Sequence, residues 1–137
     1  MRSKHVGAFL GLILAMILSS YVIPRQVEAT EIPIQVNVSP NVLNIQSDGT
    51  VLSIHTDINY SLVVGTSVTV NDVPILFWKN DAQGYFVAKF DINQIKQLDG
   101  LKIGDYNKLT LVGYTTQGDT FIGSQEIKII DKIPTVK

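Results

Sequence analysis

Short apolar runs recur along residues 32–130, and clusters of Asn, Asp, Gly and Pro separate them. Within each run apolar and polar residues alternate, which is typical of β-strands buried on one face. The run at residues 32–39 places four aliphatic side chains on one side: Ile32, Ile34, Val36 and Val38. We predict a single strand there, and Pro33, which lacks an N–H group, puts that strand at a sheet edge.

The next runs predict further short strands. Residues 42–46 form one, and residues 50–57 form another with Leu52 and Ile54 on one face and His55 on the opposite face. Residues 62–64 and 67–70 predict a strand or a strand pair around Gly65.

A β-hairpin is predicted for residues 73–90. Its first strand covers residues 73–79, its loop covers residues 80–84, and its second strand turns Phe86, Ala88 and Phe90 inward. Residues 108–116 and 120–130 predict a second hairpin around the turn at residues 117–119.

One segment departs from this alternation. Ile92, Ile95 and Leu98 recur every three residues after Asp91, a side chain suited to cap a helix N-terminus. This spacing predicts one or two helical turns. Together the runs predict an all-β protein, an immunoglobulin-like antiparallel β-sandwich of seven to nine strands with one short helical turn. A closed barrel is the alternative fold.

Several turn and core positions carry a family resemblance. They are Val38-Ser39-Pro40 with Leu43 and Ile45, Val68 to Asn71, Val87 to Asp91, Leu109 to Gly113, and Gln117 to Gly123. In this order they resemble immunoglobulin-like sandwich domains that recur in exported prokaryotic proteins. The resemblance spans roughly residues 34–130 and implies a stalk, a spacer or an interaction module.

Residues 1–29 have the anatomy of a signal peptide. Arg2 and Lys4 give a positive start, residues 6–18 are uncharged and apolar, and Val27 and Ala29 suit positions −3 and −1 of a cleavage site. We expect cleavage after Ala29, which leaves residues 30–137 as one sandwich domain and predicts a periplasmic, cell-surface or secreted protein.

Two other interpretations of the leader stay open. The uncharged stretch at residues 6–23 is long enough for an uncleaved membrane anchor, since a spanning helix needs roughly 17–25 residues. A buried helix of the fold is the other, although the stretch lacks an amphipathic period. Pro24 and the cleavage pattern favour removal of the leader.

Charge and cysteine content exclude several classes of function. Residues 30–137 carry eight lysines, no arginine and eleven acidic residues, so their formal net charge is −3. Without guanidinium groups or a basic excess, nucleic acid is not expected as a partner, and membrane contact is expected only if the leader is retained. The chain has no cysteine, which excludes disulfides, thiolate metal sites and thiol nucleophiles.

Candidate chemistry is sparse in residues 30–137. His55 is the only histidine there, so a catalytic triad or a zinc site would have to rely on it alone, and no enzyme activity is expected. We expect no cofactor, with calcium left open because six aspartates fall in predicted turns. They are Asp48, Asp72, Asp81, Asp99, Asp105 and Asp119.

The candidate ligand or partner surface is aromatic. Trp78, with Phe77 and Tyr85 nearby, flanks the loop at residues 80–84, and alternation puts Phe77 and Trp78 on opposite faces. The sequence thus predicts a non-enzymatic extracytoplasmic structural or protein-interaction domain for adhesion or assembly. Its partner would be another envelope or extracellular protein, met through a sheet surface or the edge at residues 32–39. A carbohydrate-binding module using the aromatic residues around Trp78 is the alternative.

Overall fold

The computed structural model describes residues 30–134, which form two facing β-sheets and one short α-helix. The strands are β1 (Glu31–Pro33), β2 (Val36–Ser39), β3 (Val42–Asn44), β4 (Val51–Asn59), β5 (Thr69–Val70), β6 (Val73–Pro74), β7 (Phe77–Asn80), β8 (Tyr85–Asp91), β9 (Tyr106–Tyr114) and β10 (Thr120–Ile130). Helix α1 spans Ile92–Lys96. The predicted all-β class is confirmed, as two layered sheets and not a closed barrel. The leader predicted at residues 1–29 lies outside the described residues.

The two sheets differ in size. One has six strands in the order β1, β10, β9, β5, β6, with β3 also beside β10, and the other has four in the order β2, β4, β8, β7. Most neighbours are antiparallel, but β1 and β3 both pair with β10 in parallel. The predicted antiparallel sandwich is confirmed as two antiparallel-dominated sheets. It differs from the prediction in these two parallel pairings and in having ten strands within residues 30–134, where seven to nine were predicted.

The predicted single strand at residues 32–39 was also wrong. The chain leaves the six-stranded sheet after β1 and enters the four-stranded sheet as β2, and the Ile34 N–H still donates to Ile122 O at 2.9 Å before the crossing. Gly123 leaves room for the crossing, because a Cβ atom there would lie 2.7 Å from the Ile34 carbonyl oxygen. Both halves keep their aliphatic side chains toward the interior, so alternation alone did not show the switch.

The predicted hairpin at residues 73–90 was wrong in its first half. β6 pairs with β5 in the six-stranded sheet, and only β7 pairs with β8. The switch falls between Ile75, whose N–H donates to Val68 O at 3.1 Å, and Leu76, whose N–H donates to Lys89 O at 2.8 Å. Of the strands predicted at residues 62–64 and 67–70, only Thr69–Val70 forms one, as β5. Two 3-10 turns, Tyr60–Leu62 and Gly65–Ser67, overlap the rest of the prediction at Leu62 and Ser67.

The core lies between the sheets and follows the predicted inward faces. Buried side chains of both sheets meet there, among them Leu52, Ile54, Phe86, Phe90, Leu109, Leu111, Phe121, Ile127 and Ile129. The predicted helical turn is confirmed, and the Asp91 carboxylate accepts a hydrogen bond from the Asn93 N–H at 2.9 Å as its N-cap. Ile92 and Ile95 join the core and anchor the helix.

Candidate functional site

The outer face of the four-stranded sheet is polar and carries an open groove. The groove has a volume of about 490 Å³ and lies at the end of the sheet where β2, β4 and the β7–β8 loop come together. Tyr85 lines it together with planar hydrogen-bonding side chains: Gln35, Asn37, His55, Asp57, Asp81 and Gln83. This mixture of one aromatic ring with amides and carboxylates suits a neutral, hydroxyl-rich ligand.

Backbone hydrogen bonds hold two carboxylates of this groove in place. Asp57 Oδ1 accepts from the Gln35 N–H at 2.8 Å, across the start of β2. Asp81 Oδ1 accepts from the N–H groups of Gln83 and Tyr85 at 2.8 and 2.9 Å, which fixes the tight loop between β7 and β8. Each carboxylate therefore has a defined orientation and keeps its second oxygen for other contacts.

Farther along the same face lies a basic region. Lys89 is half-buried, and its Nζ donates to Ser53 Oγ at 2.6 Å. Burial, and to a lesser degree the neighbouring Lys79 charge, lower the pKa of the Lys89 ammonium. Val87 is fully buried although it belongs to this outer face, where His55 and Lys79 flank it in register.

The three aromatic residues predicted as a ligand surface do not share a face. Trp78 is paired with the inward-facing Ala88 and packs half-buried against the core and over Gly65. Phe77 (45% exposed) and Tyr85 (36% exposed) lie on the outer face. Phe77 is in register with Lys89, so Tyr85 sits four residues away along the sheet, about 13 Å at the usual rise per residue. Only Tyr85 lines the groove.

The outer face of the six-stranded sheet has a different character. One row of side chains crosses five strands in register, from β1 through β10, β9 and β5 to β6, and contains no charge. The row consists of Pro33, Ile122, Val112, Thr69 and Pro74. Its three central members are only half-buried, so apolar surface is left open to solvent.

The rows on either side of this uncharged row show a regular order. On one side lies Tyr114, 54% exposed. On the other side come the hydroxyl pair Thr110 and Ser124, 2.9 Å apart, and then the opposite charges Lys108 and Glu126 in register. The final row pairs Tyr106, 57% exposed, with Lys128.

Sequence reasoning missed this surface. The outward residues of β9 and β10 could be read from alternation, but the row across five strands depends on pairings between segments far apart in the chain.

The remaining candidates from the sequence are His55, a metal site and a membrane-spanning helix. His55 is exposed on the outer face of β4, opposite the buried Leu52 and Ile54, as predicted. Within residues 30–134 no three acidic or histidine side chains lie close enough together to hold a metal ion. In the same part of the chain, no helix has the length and apolarity needed to cross a bilayer.

Comparison with known proteins adds no family. No protein-family model, no curated protein and no solved structure matches this chain. The two-sheet β-sandwich and the chemistry of its two outer faces are therefore the basis for any statement about function.

Proposed function

We propose that this chain is an exported, non-enzymatic β-sandwich that binds a protein partner outside the cytoplasm, through the outer face of its six-stranded sheet. The observation that carries the proposal is the uncharged row across five strands, with exposed Tyr114 beside it. Exposed apolar residues and tyrosines in one patch are typical of protein-binding surfaces.

The edges of the sheets support binding through a face. Pro33 and Pro74 stand on the outermost strands of the row, and neither can donate a backbone hydrogen bond to an added strand. On β2, Gln125 Oε1 accepts from the Val38 N–H at 2.7 Å and occupies that edge position. Because these edge positions are blocked, we propose binding through the sheet face and not through the edge at residues 32–39 that the sequence suggested.

The strand order supports an immunoglobulin-like fold as part of this proposal. If β2, β4, β5, β7, β8, β9 and β10 are taken as strands A, B, C, D, E, F and G, the four-stranded sheet has the order A-B-E-D. The larger sheet then contains G-F-C, with β3 beside G. Immunoglobulin-like sandwiches divide their strands in the same way.

Photo-crosslinking in the native cell tests the binding face. A photoreactive amino acid is placed at Tyr114, and the matched control carries it at the exposed Asn37 on the opposite sheet. We expect one defined protein, identified by mass spectrometry, to be captured from position 114 and not from position 37. Ile122→Lys should abolish capture while thermal unfolding stays cooperative. Equal capture from both positions, or none from position 114, would contradict the proposal.

Export is tested separately on the same material. We expect the protein recovered outside the cytoplasm to begin at Thr30, because Val27 and Ala29 match the cleavage pattern. Intact-mass measurement of the extracytoplasmic fraction decides this. Recovery of the whole chain in the cytoplasm would contradict export.

Glycan binding in the groove on the four-stranded sheet is a second candidate function. Two oriented carboxylates beside an aromatic ring favour it, because sugars combine hydroxyl groups with apolar ring faces. In a glycan-array experiment Tyr85→Ala and Asp57→Ala should each abolish binding, and Tyr114→Ala should not. If no glycan binds the unmodified protein, this second candidate fails.

A further inference from the structure

We propose that the partner of the six-stranded face is a second copy of the same chain. The two faces would meet in a dimer whose two-fold axis runs parallel to β9 and β10 and passes between them. This inference rests on the proposed function, because it uses the same face. The observation behind it concerns the rows of side chains that run across β9 and β10. The residues of such a row are complementary to the same row of a second copy in which the two strands have exchanged places.

The geometry of such an axis is simple. A two-fold rotation about a line parallel to the strands reverses their order across the sheet but leaves every position along them unchanged. Each residue of β9 then faces its own register partner from β10 of the second copy. The strands of the two sheets run in nearly the same direction, which is the aligned mode of sheet packing.

Four of the five outward rows that join β9 and β10 find a suitable match under this operation. In the uncharged row, Val112 meets Ile122 of the second copy, so apolar surface is buried on both sides. In the charged row, Lys108 meets Glu126 of the second copy, and symmetry makes this ion pair twice.

The row between these two and the row beyond the charged one are also compatible. The hydroxyls of Thr110 and Ser124, which already contact each other at 2.9 Å, meet the same pair from the other copy. Tyr106 meets Lys128 of the second copy, an arrangement suited to a cation–π contact.

A two-fold axis across the strands gives a poorer match. If it passes through the Thr110 row, it exchanges the rows on either side, so that Lys108 lies over the uncharged row near Val112. The lysine and Glu126 would then lose water without gaining an opposite charge, which is costly. The charge pattern therefore favours the axis along the strands.

The contact is of modest size. Nine residue pairs join β9 and β10, while β1, β5 and β6 add only two or three residues each. Two strands thus supply most of the face, and we expect it to bury less than the roughly 800 Å² per partner of a standard interface. We expect a weak, reversible dimer that forms at high local concentration and weakens as salt rises.

Charge reversal tests the pairing. The full chain is expressed with its leader, purified from the extracytoplasmic fraction and studied by sedimentation equilibrium at low salt up to millimolar loading. Lys108→Glu and Glu126→Lys each turn two attractions into repulsions, so each should weaken self-association about tenfold. Mixing the two variants should restore it, because each heterodimer contains two attractive pairs.

The mixing step also controls for effects within one copy. Asp72 and Asp99 line the groove beside Lys108, so Lys108→Glu changes charges inside the monomer as well. Those internal changes are the same in the homodimer and in the heterodimer. A mixture that associates no better than the separate variants would overturn the proposed axis.

Cysteine crosslinking gives an independent distance test, because the natural chain has no cysteine. In the proposed dimer the Cα atoms of the two Ser124→Cys copies lie about 11 Å apart, one strand spacing sideways and one sheet spacing across. Their thiols point into the interface and lie closer than the Cα atoms, so a short bismaleimide reagent should join them. The control Asn37→Cys, on the outer face of the other sheet, places its two copies about 30 Å apart and should not react.

The outcomes separate this inference from the proposed function. A chain that remains monomeric at every concentration, yet captures a different protein from position 114, overturns the dimer and keeps the binding face. A monomeric chain that captures nothing overturns both. Salt-sensitive association with the expected crosslink supports both.

Discussion

The contact between Gly65 and Trp78 predicts a large effect from a single methyl group. Gly65 is buried at the start of the 3-10 turn Gly65–Ser67, and a Cβ atom there would lie 2.5 Å from Trp78 Cδ2 and 2.6 Å from Cζ2. Its φ angle is not in the left-handed region, so alanine meets no backbone strain. The cost of Gly65→Ala is therefore steric, and the indole must move away from the core edge.

Overpacking of this kind typically costs about 1–3 kcal/mol. A small domain has only about 5–15 kcal/mol of net stability, and each kcal/mol corresponds to about 4–8 °C in Tm at this size. Trp78 is the only tryptophan of the chain, so its fluorescence reports the displacement directly. We expect a red-shifted native emission spectrum and a lower urea midpoint.

A matched control and a rescue make this prediction refutable. Gly49→Ala adds the same methyl group where the nearest atoms lie 3.6 and 3.9 Å away, so it should leave the urea midpoint unchanged or raise it slightly. Trp78→Phe in the Gly65→Ala background should recover part of the loss, because the smaller ring leaves room. If Gly65→Ala and Gly49→Ala gave the same midpoint and spectrum, Trp78 would not pack over Gly65.

Three further predictions follow from single contacts. Because the pKa of Lys89 is lowered in the folded state, the unfolded state binds more protons between that pKa and 10.5, so the free energy of unfolding should rise with pH in that window. Lys89→Met should flatten this rise in urea titrations. Thr56 is buried, and its hydroxyl donates a hydrogen bond to Phe86 O at 2.6 Å. Thr56→Val should therefore lower the free energy of unfolding in urea by about 1–2 kcal/mol. Thr56→Ser should lower it by less, because serine keeps the hydroxyl donor. Asp91→Ala removes the N-cap of α1 and should cost about 0.5–2 kcal/mol, and Asp91→Asn should largely preserve thermal stability.

Alternation predicted the inward faces of the long strands well, because each pattern is local. Leu52 and Ile54 on β4, and Phe86 and Phe90 on β8, are buried as predicted. The same signal failed where the chain changes sheets. A strand that crosses the sandwich keeps its aliphatic side chains toward the interior, so residues 32–39 look like one strand although they belong to two sheets.

The candidate surfaces depend on information that one segment does not contain. Phe77 and Trp78 were predicted to face opposite ways, and the structure puts Trp78 toward the core. Trp78 can face inward because Gly65, thirteen positions earlier in the chain, has no side chain and leaves space for the indole. The self-complementary rows on β9 and β10 likewise follow from register, which is set by the whole sheet.

The parallel pairing of β1 with β10 predicts how the sandwich responds to pulling. Tension on the two ends of the described chain draws β1 and β10 in opposite directions along their own axes. The three residue pairs between them are then loaded together in shear, unlike a hairpin, which unzips one bond at a time. We expect this ladder to bear an axial load before the load reaches the core.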